Sequence, residues 1–142
     1  NSQFSINTSH YQSQNSKSSS HPTTPTNLFK VVCVGDSSVG KTHILHQYVN
    51  GEAPRNPQAT LGVDFMMKAI SLAPQEETLR VSFFDTSGEE KYHAITACHY
   101  RKATGALIVY DVTSRMSFDN LGRWLGDVRQ LADPDCSILI LG

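Results

Sequence analysis

Residues 35–42 read GDSSVGKT and fit the spacing GxxxxGK[ST] through Gly35, Gly40, Lys41 and Thr42. Those residue types at that spacing suit phosphate. Glycines let a loop curl so that successive backbone N–H groups face one concavity, a nest for anionic oxygens. A helix starting at the end of the loop adds its positive N-terminal end. On this reading Gly35, Asp36, Ser37, Ser38, Val39, Gly40, Lys41 and Thr42 form the cradle. Lys41 reaches the β- and γ-phosphates, and the Thr42 hydroxyl ligates Mg²⁺.

Two further segments complete a candidate site. Residues 85–88 read DTSG, 44 positions after Lys41. A carboxylate ending an apolar strand suits Mg²⁺, usually through water, because hard cations take oxygen ligands. Gly88 has no side chain to obstruct its N–H, which can then meet a γ-phosphate. Thr60 precedes LGVDF between a loop and a strand. Its hydroxyl is placed to close over the ion and to release it, an order–disorder switch.

These residues need a scaffold that brings them together. Leu28 to Val34 (LFKVVCV) is a short apolar run, expected to be a strand buried on both faces. Ile44, Leu45, Tyr48 and Val49 recur at helical spacing, which predicts a helix over about 41–50. Residues 51–58 read as a loop. Alternation predicts strands over 61–69 and 79–85, joined by a turn at 74–77 as a hairpin. A short helix is expected within 88–104 and a strand at 106–110. Phe118, Leu121, Trp124, Leu125, Val128 and Leu131 predict one helix over about 116–132, with Trp124 in the core. Residues 137–141 (SILIL) form a last strand. Apolar strands separated by helices imply an α/β fold: a mostly parallel sheet with helices on both faces. Ligands on such sheets lie at the carboxyl ends of strands, where the 35–42 loop and Asp85 both fall.

The remainder of the 142 residues narrows the possibilities. Residues 1–27 contain 19 Ser, Thr, Asn or Gln and one charge, Lys17, and are expected to be a disordered leader before a domain at 28–142. Net charge −1 and a pI near 6.6 give no basic face for nucleic acid. No apolar run reaches the roughly 18 residues of a membrane helix, and no signal core opens the chain. Cys33, Cys98 and Cys136 lack CxxC spacing and are expected to be buried free thiols. His43 and His46 share a helix face, yet no carboxylate or cysteine stands near, so they read as surface histidines.

GDSSVGKT, TLGVDF, FFDTSGEE and HYRKATGALIVYDVT, in that order, resemble the Ras superfamily, and most closely the Rab small GTPases. SFDNLGRWL resembles a Rab helix start. The resemblance covers about 28–142. It implies the P-loop NTPase G domain, with binding of GTP or GDP, Mg²⁺ and hydrolysis of GTP as a switch in vesicle traffic. It implies that Lys41 and the loop amides hold phosphate. Thr42, Thr60 and Asp85 serve the metal, and Gly88 senses the γ-phosphate. Effector, exchange-factor and GTPase-activating proteins would meet a surface around Phe65, Phe84 and His99. The resemblance also implies a cytoplasmic protein on the cytosolic face of endomembranes.

Departures from the family pattern lie at Glu89, where Gln usually orients the attacking water, at Ser87 in place of alanine, and at Ala53, where an aromatic ring often meets guanine. His99 stands where the effector triad more usually has tyrosine. A carboxylate at Glu89 beside a polyphosphate predicts slow hydrolysis. The NKxD motif would follow Gly142. The domain is therefore expected to be incomplete, with its last strand an exposed edge and the isolated piece poorly soluble or weak in nucleotide binding. Guanine specificity then rests on the resemblance, and any membrane anchor on residues after Gly142. Two other readings stand beside the switch. One is a non-hydrolysing scaffold, nucleotide-binding or nucleotide-free, a pseudo-GTPase. The other is a kinase or ATPase that would need Arg55 or Arg101 at the phosphates.

Overall fold

The structure, a computed structural model, describes residues 28–56, 58–72 and 77–142. The expected leader 1–27 lies outside them, as does the expected turn at 74–77 apart from Glu77. Among the described residues five strands and four helices follow in the order β1 (Leu28–Val34), α1 (Lys41–Asn50), β2 (Val63–Leu72), β3 (Glu77–Thr86), α2 (His93–Tyr100), β4 (Gly105–Val109), α3 (Arg115–Asp119), α4 (Leu121–Leu131) and β5 (Ser137–Leu141). A single 3-10 turn, Glu90–Tyr92, leads into α2.

The sheet order is β2-β3-β1-β4-β5. Only β2 runs antiparallel to its neighbour, pairing Val63 with Thr86 through to Leu72 with Glu77. The α/β fold with a mostly parallel sheet is therefore observed, including the β2–β3 pairing. Successive residues of a strand face opposite sides. Val32 and Val34 of β1 accordingly pack with Tyr100, Ala106, Ile108, Trp124 and Val128 under α2 and α4. Cys33 packs with Leu45, Val81, Phe83 and Val109 under α1. Burying a side chain such as Leu45 contributes about 1.5–3 kcal/mol.

Several expectations need correction. β1 is fully buried only from Val32 onward, and Leu28 is 61% exposed. β2 starts at Val63, because Gly62 turns with φ +81 and Leu61 points to solvent. The single helix expected over 116–132 is two, broken at Asn120. Asn120 closes α3 through its N–H to the Met116 carbonyl (3.0 Å) and opens α4 by accepting from Arg123 N (3.1 Å). Its side chain leaves the helix surface altogether for Asp36 (2.7 Å). Of the three thiols only Cys33 is buried; Cys98 is exposed and Cys136 half-buried. Among the described residues β5 is one edge of the sheet and β2 the other, and Leu139 and Ile140 of β5 are exposed. No described helix is long and apolar enough to cross a membrane.

Candidate phosphate and metal site

Parallel pairing of β1 with β3 sets Cys33 beside Asp85. The chain leaving β1 at Gly35 therefore lies next to the chain leaving β3 at Ser87. Two glycines permit close approach. Gly35 has φ +143, and a Cβ there would strike the Val109 carbonyl. A Cβ on Gly88 would overlap the Asp36 carbonyl group and the Ser37 nitrogen. A side chain at Gly88 would push the two loops apart, and one at Gly35 would push its loop off the end of β4.

The loop 35–40 runs directly into α1. Gly40 takes a left-handed conformation (φ 99) as the N-cap, and no side chain caps the first turn. The first backbone N–H groups of a helix have no intrahelical partner, and here they open on a cavity. That cavity, about 270 Å³, is lined by Ser37, Ser38, Gly40, Lys41, Thr42 and His43 on one wall. Gln58, Ala59, Thr60, Thr86, Ser87, Gly88 and Glu89 line the other.

Lys41 is buried, 6% exposed. Its Nζ donates to the carbonyls of Gly35 (2.9 Å) and Asp36 (2.6 Å). An ammonium has three donors, and the third has no protein acceptor among the described residues. Burial lowers the Lys41 pKa from its ordinary value, against the opposing pull of Cys33, Asp85 and Asp36. An anion in the cavity would stabilise the charged form.

Thr42, Thr60 and Asp85 converge. Thr42 Oγ1 donates to Asp85 Oδ2 at 2.5 Å, Thr60 Oγ1 lies 3.1 Å from Thr42 Oγ1, and Thr60 Oγ1 donates to Asp85 Oδ2 at 3.4 Å. Asp85 is fully buried, and its second oxygen, Oδ1, has no hydrogen-bond partner. Burial raises the Asp85 pKa, opposed first by the Thr42 hydrogen bond and then by Lys41. A buried carboxylate oxygen without a donor is costly, and a cation would satisfy it. The donors here are a carboxylate and two hydroxyls, hard oxygens that suit Mg²⁺. On that test the residues fit the ion.

Of the loop residues expected in the cradle, Gly35, Asp36 and Val39 do not line the cavity, and Val39 packs instead against the core under α1. Glu89 reaches the cavity, and its carboxylate pairs with Lys91 at 2.7 Å. Ser87 is buried and donates its N–H to the Gly62 carbonyl at 2.7 Å. Arg55 pairs with Glu52 on the surface, and the carbonyl of Arg101 accepts from Lys30. Neither arginine lines the cavity, and neither does Ala53. Phe65 and Phe84 meet edge to face at 5.3 Å, and Phe84 meets His99 at 5.5 Å. These three border a second, apolar hollow of about 380 Å³ with Leu61, Val63, Tyr92 and Ile95.

The sequence model of the Ras family matches residues 30–142. The chain belongs to the Ras family. Among its relatives is Ras-related protein Rab-11C of Dictyostelium discoideum, 43% identical over 115 residues, which are 81% of this chain and 50% of that protein. Ras-related protein RABA3 of Arabidopsis thaliana is 39% identical over 132 residues, 91% of this chain and 55% of that one. GTP-binding protein ypt3 of Schizosaccharomyces pombe is 44% identical over 115 residues, covering 81% and 53%. This Ras-family chain is thus Rab-like, and it spans about half the length of the curated relatives it matches.

One contact in this Rab-like chain was not legible in the sequence. Trp124, expected to be core, is buried as expected. Yet its indole Nε1 also donates to Asp36 Oδ1 of the phosphate loop at 2.7 Å. The only hint is chemical: a buried indole N–H needs an acceptor.

Proposed function

We propose that this chain is the nucleotide-binding part of a Rab-like small GTPase. It binds GTP or GDP with Mg²⁺, hydrolyses GTP slowly, and acts as a switch in vesicle traffic. The observation that carries the proposal is the meeting of Thr42, Thr60 and Asp85, with Asp85 Oδ1 unpartnered, beside a cavity walled by the phosphate loop. Mg²⁺, when bound, supplies charge neutralisation on the phosphates. Thr42, Thr60 and Asp85 would hold it. Lys41 and the amides from Gly35 to Thr42 bind the phosphates, and Gly88 lies close enough to the loop to register the γ-phosphate.

Glu89 stands at the same cavity as the candidate group for the attacking water. Its carboxylate can accept a proton from that water but also repels the polyphosphate, and repulsion favours slow turnover. Lys91 partly offsets that charge. The ion pair also favours a second reading, a nucleotide-bound scaffold in which Glu89 never reaches the water. In either reading the hollow at Phe65, Phe84 and His99 receives effector, exchange-factor or activating proteins. The protein is cytoplasmic, and the full-length form would sit on the cytosolic face of endomembranes.

Single-turnover GTP cleavage by the intact protein and by Glu89→Gln tests this. The proposal expects tight Mg²⁺-dependent GTP binding, slow cleavage by the parent and faster cleavage by the variant. Binding without any cleavage in either protein selects the scaffold. No GTP binding by the parent ends both readings, and preference for ATP over GTP ends the guanine assignment.

A further inference from the structure

Asp36 occupies an awkward position for a carboxylate. It belongs to the phosphate loop, where a negative side chain opposes an anionic ligand. It nevertheless does not line the cavity, whose loop residues are Ser37, Ser38, Gly40, Lys41 and Thr42. Helix α4 holds its side chain away. Trp124 Nε1 donates to Oδ1 at 2.7 Å and Asn120 Nδ2 to Oδ2 at 2.7 Å, and Arg123 Nη2 lies 3.6 Å from Oδ1. The Arg123 guanidinium also stacks over the Trp124 ring, 4.6 Å from its centroid. The Asp36 side chain is 15% exposed, so these charge-assisted bonds are sheltered from water.

The same residue acts on the site through its main chain. The Asp36 carbonyl accepts from Lys41 Nζ at 2.6 Å, and Gly88 packs directly against it. Asp36 is therefore fixed at its side chain by α4 and fixes Lys41 and the 85–88 loop at its backbone. The contacts span 84 residues to Asn120 and 88 to Trp124, so no local backbone preference creates them.

We propose that Asp36 and Trp124 form a brace that holds the phosphate loop in its ligand-accepting shape. Trp124 is then a positioning residue: it touches no ligand and acts through Asp36. The brace rests on the nucleotide reading above. Its benefit is pre-organisation, because a loop already held in shape loses less freedom when it binds. It also disposes of a negative charge that would otherwise face the phosphates. Helix α4 becomes mechanically continuous with the nucleotide site.

Two measurements on the intact protein test the brace. The first is solvent exchange of the Trp124 indole proton by NMR, with the resonance assigned by its loss in Trp124→Phe. Exchange in Asp36→Ala should be at least about tenfold faster than in the parent. The second is GDP dissociation in Trp124→Phe, Asp36→Ala, the double variant and Asp36→Asn. Release should be about tenfold faster in Trp124→Phe, the loss of one charge-assisted bond, and at least that much faster in Asp36→Ala, which also loses the Asn120 and Arg123 contacts. The double variant should be no worse than the worse single, and Asp36→Asn, which can still accept from the indole, should fall between parent and Asp36→Ala. Additive effects, or release within about twofold of the parent in both Asp36 variants, overturn the brace. If Trp124→Phe does not fold, the two Asp36 variants decide alone. A parent that binds no nucleotide overturns the function first and the brace with it. A parent that binds normally while the variants are unchanged overturns the brace alone.

Discussion

The two walls of the central cavity are built differently. The wall formed by residues 35–43 is over-determined. Gly35 is wedged against Val109, Lys41 bonds two loop carbonyls, α1 follows without a break, and Asp36 is tied to α4. The facing wall is held sparingly at residues 58–62, although Ser87 is buried and Gly88 packs against Asp36. Thr60 reaches the centre by its hydroxyl alone, Ser87 N–H meets the Gly62 carbonyl, and Leu61 is 75% exposed. Segments with few buried apolar contacts open most easily. The contrast suits a device that binds with one wall and reports with the other.

Lys41→Met should produce the largest effect. It keeps the aliphatic stem and removes the ammonium. Gly35 and Asp36 leave one ammonium donor for phosphate, and a charge-assisted bond contributes about 1.5–3 kcal/mol, so its loss weakens nucleotide affinity about ten- to a hundredfold. The fixed wall serves any bound state, so GTP and GDP affinities should fall together. Titration of both nucleotides checks this; a loss confined to GTP would mean that the 35–43 wall also discriminates.

Thr60→Ala probes the other wall. Asp85 still receives the Thr42 hydroxyl, so the centre keeps its anchor. The expected loss is about tenfold, for GTP with Mg²⁺ only, with GDP nearly unchanged. Competition binding with and without Mg²⁺ measures it. Equal losses for both nucleotides would erase the distinction between the walls.

The fixed wall was the more legible in the sequence, for a physical reason. GDSSVGKT is a local pattern in which each residue type answers a backbone or charge requirement within eight positions. The strands before and after it show in their apolar runs, and α1 matches its expected bounds. The Asn120 break was hidden because Phe118, Leu121, Trp124 and Leu125 keep one apolar period across it, while what breaks the helix is a cap and a side chain drawn to Asp36. Trp124 read as core for the same reason: periodicity reports that a residue is inside, not which atom needs a partner. Burial of Cys98 was overestimated because an apolar neighbourhood along the chain does not fix the face a helix presents.

Two of the three cysteines, Cys33 and Cys98, extend the comparison. Cys33 lies on β1 beneath the fixed wall, where burial, followed by the nearby Asp85 charge, pushes its pKa from 9.0 to about 12. Cys98 lies on α2, exposed, after the movable wall. Iodoacetamide at pH 8 should label Cys98 readily and Cys33 only after unfolding, as mass spectrometry of the digests would show. Between pH 9.0 and about 12 the unfolded thiol ionises while the folded one does not. Stability must therefore fall as pH rises through that window, by up to about 1.4 kcal/mol per pH unit, and Cys33→Ala should flatten the slope. Labelling of Cys33 in the folded protein would show that β1 opens as easily as the facing wall at 58–62.

The smallest effect tests whether the fixed wall is strained for its function. Ser38 sits in the loop at φ 64, a left-handed conformation that disfavours any residue with a Cβ. That conformation costs about 1–2 kcal/mol for a non-glycine, and glycine returns about 0.5–1 kcal/mol of the gain as chain entropy. Ser38→Gly should therefore stabilise the protein by about 0.5–1 kcal/mol, a rise of a few degrees in the thermal midpoint. Lys102, at φ 60 in an exposed turn after α2, supplies the control. Lys102→Gly should give a similar gain with no change in nucleotide affinity. If Ser38→Gly behaves the same way, the strain is a by-product of a loop held from outside by Asp36 and Lys41. If Ser38→Gly gains stability but loses GTP affinity, the loop relaxes away from its binding shape once a Cβ no longer resists it. The serine would then be part of what keeps that wall rigid.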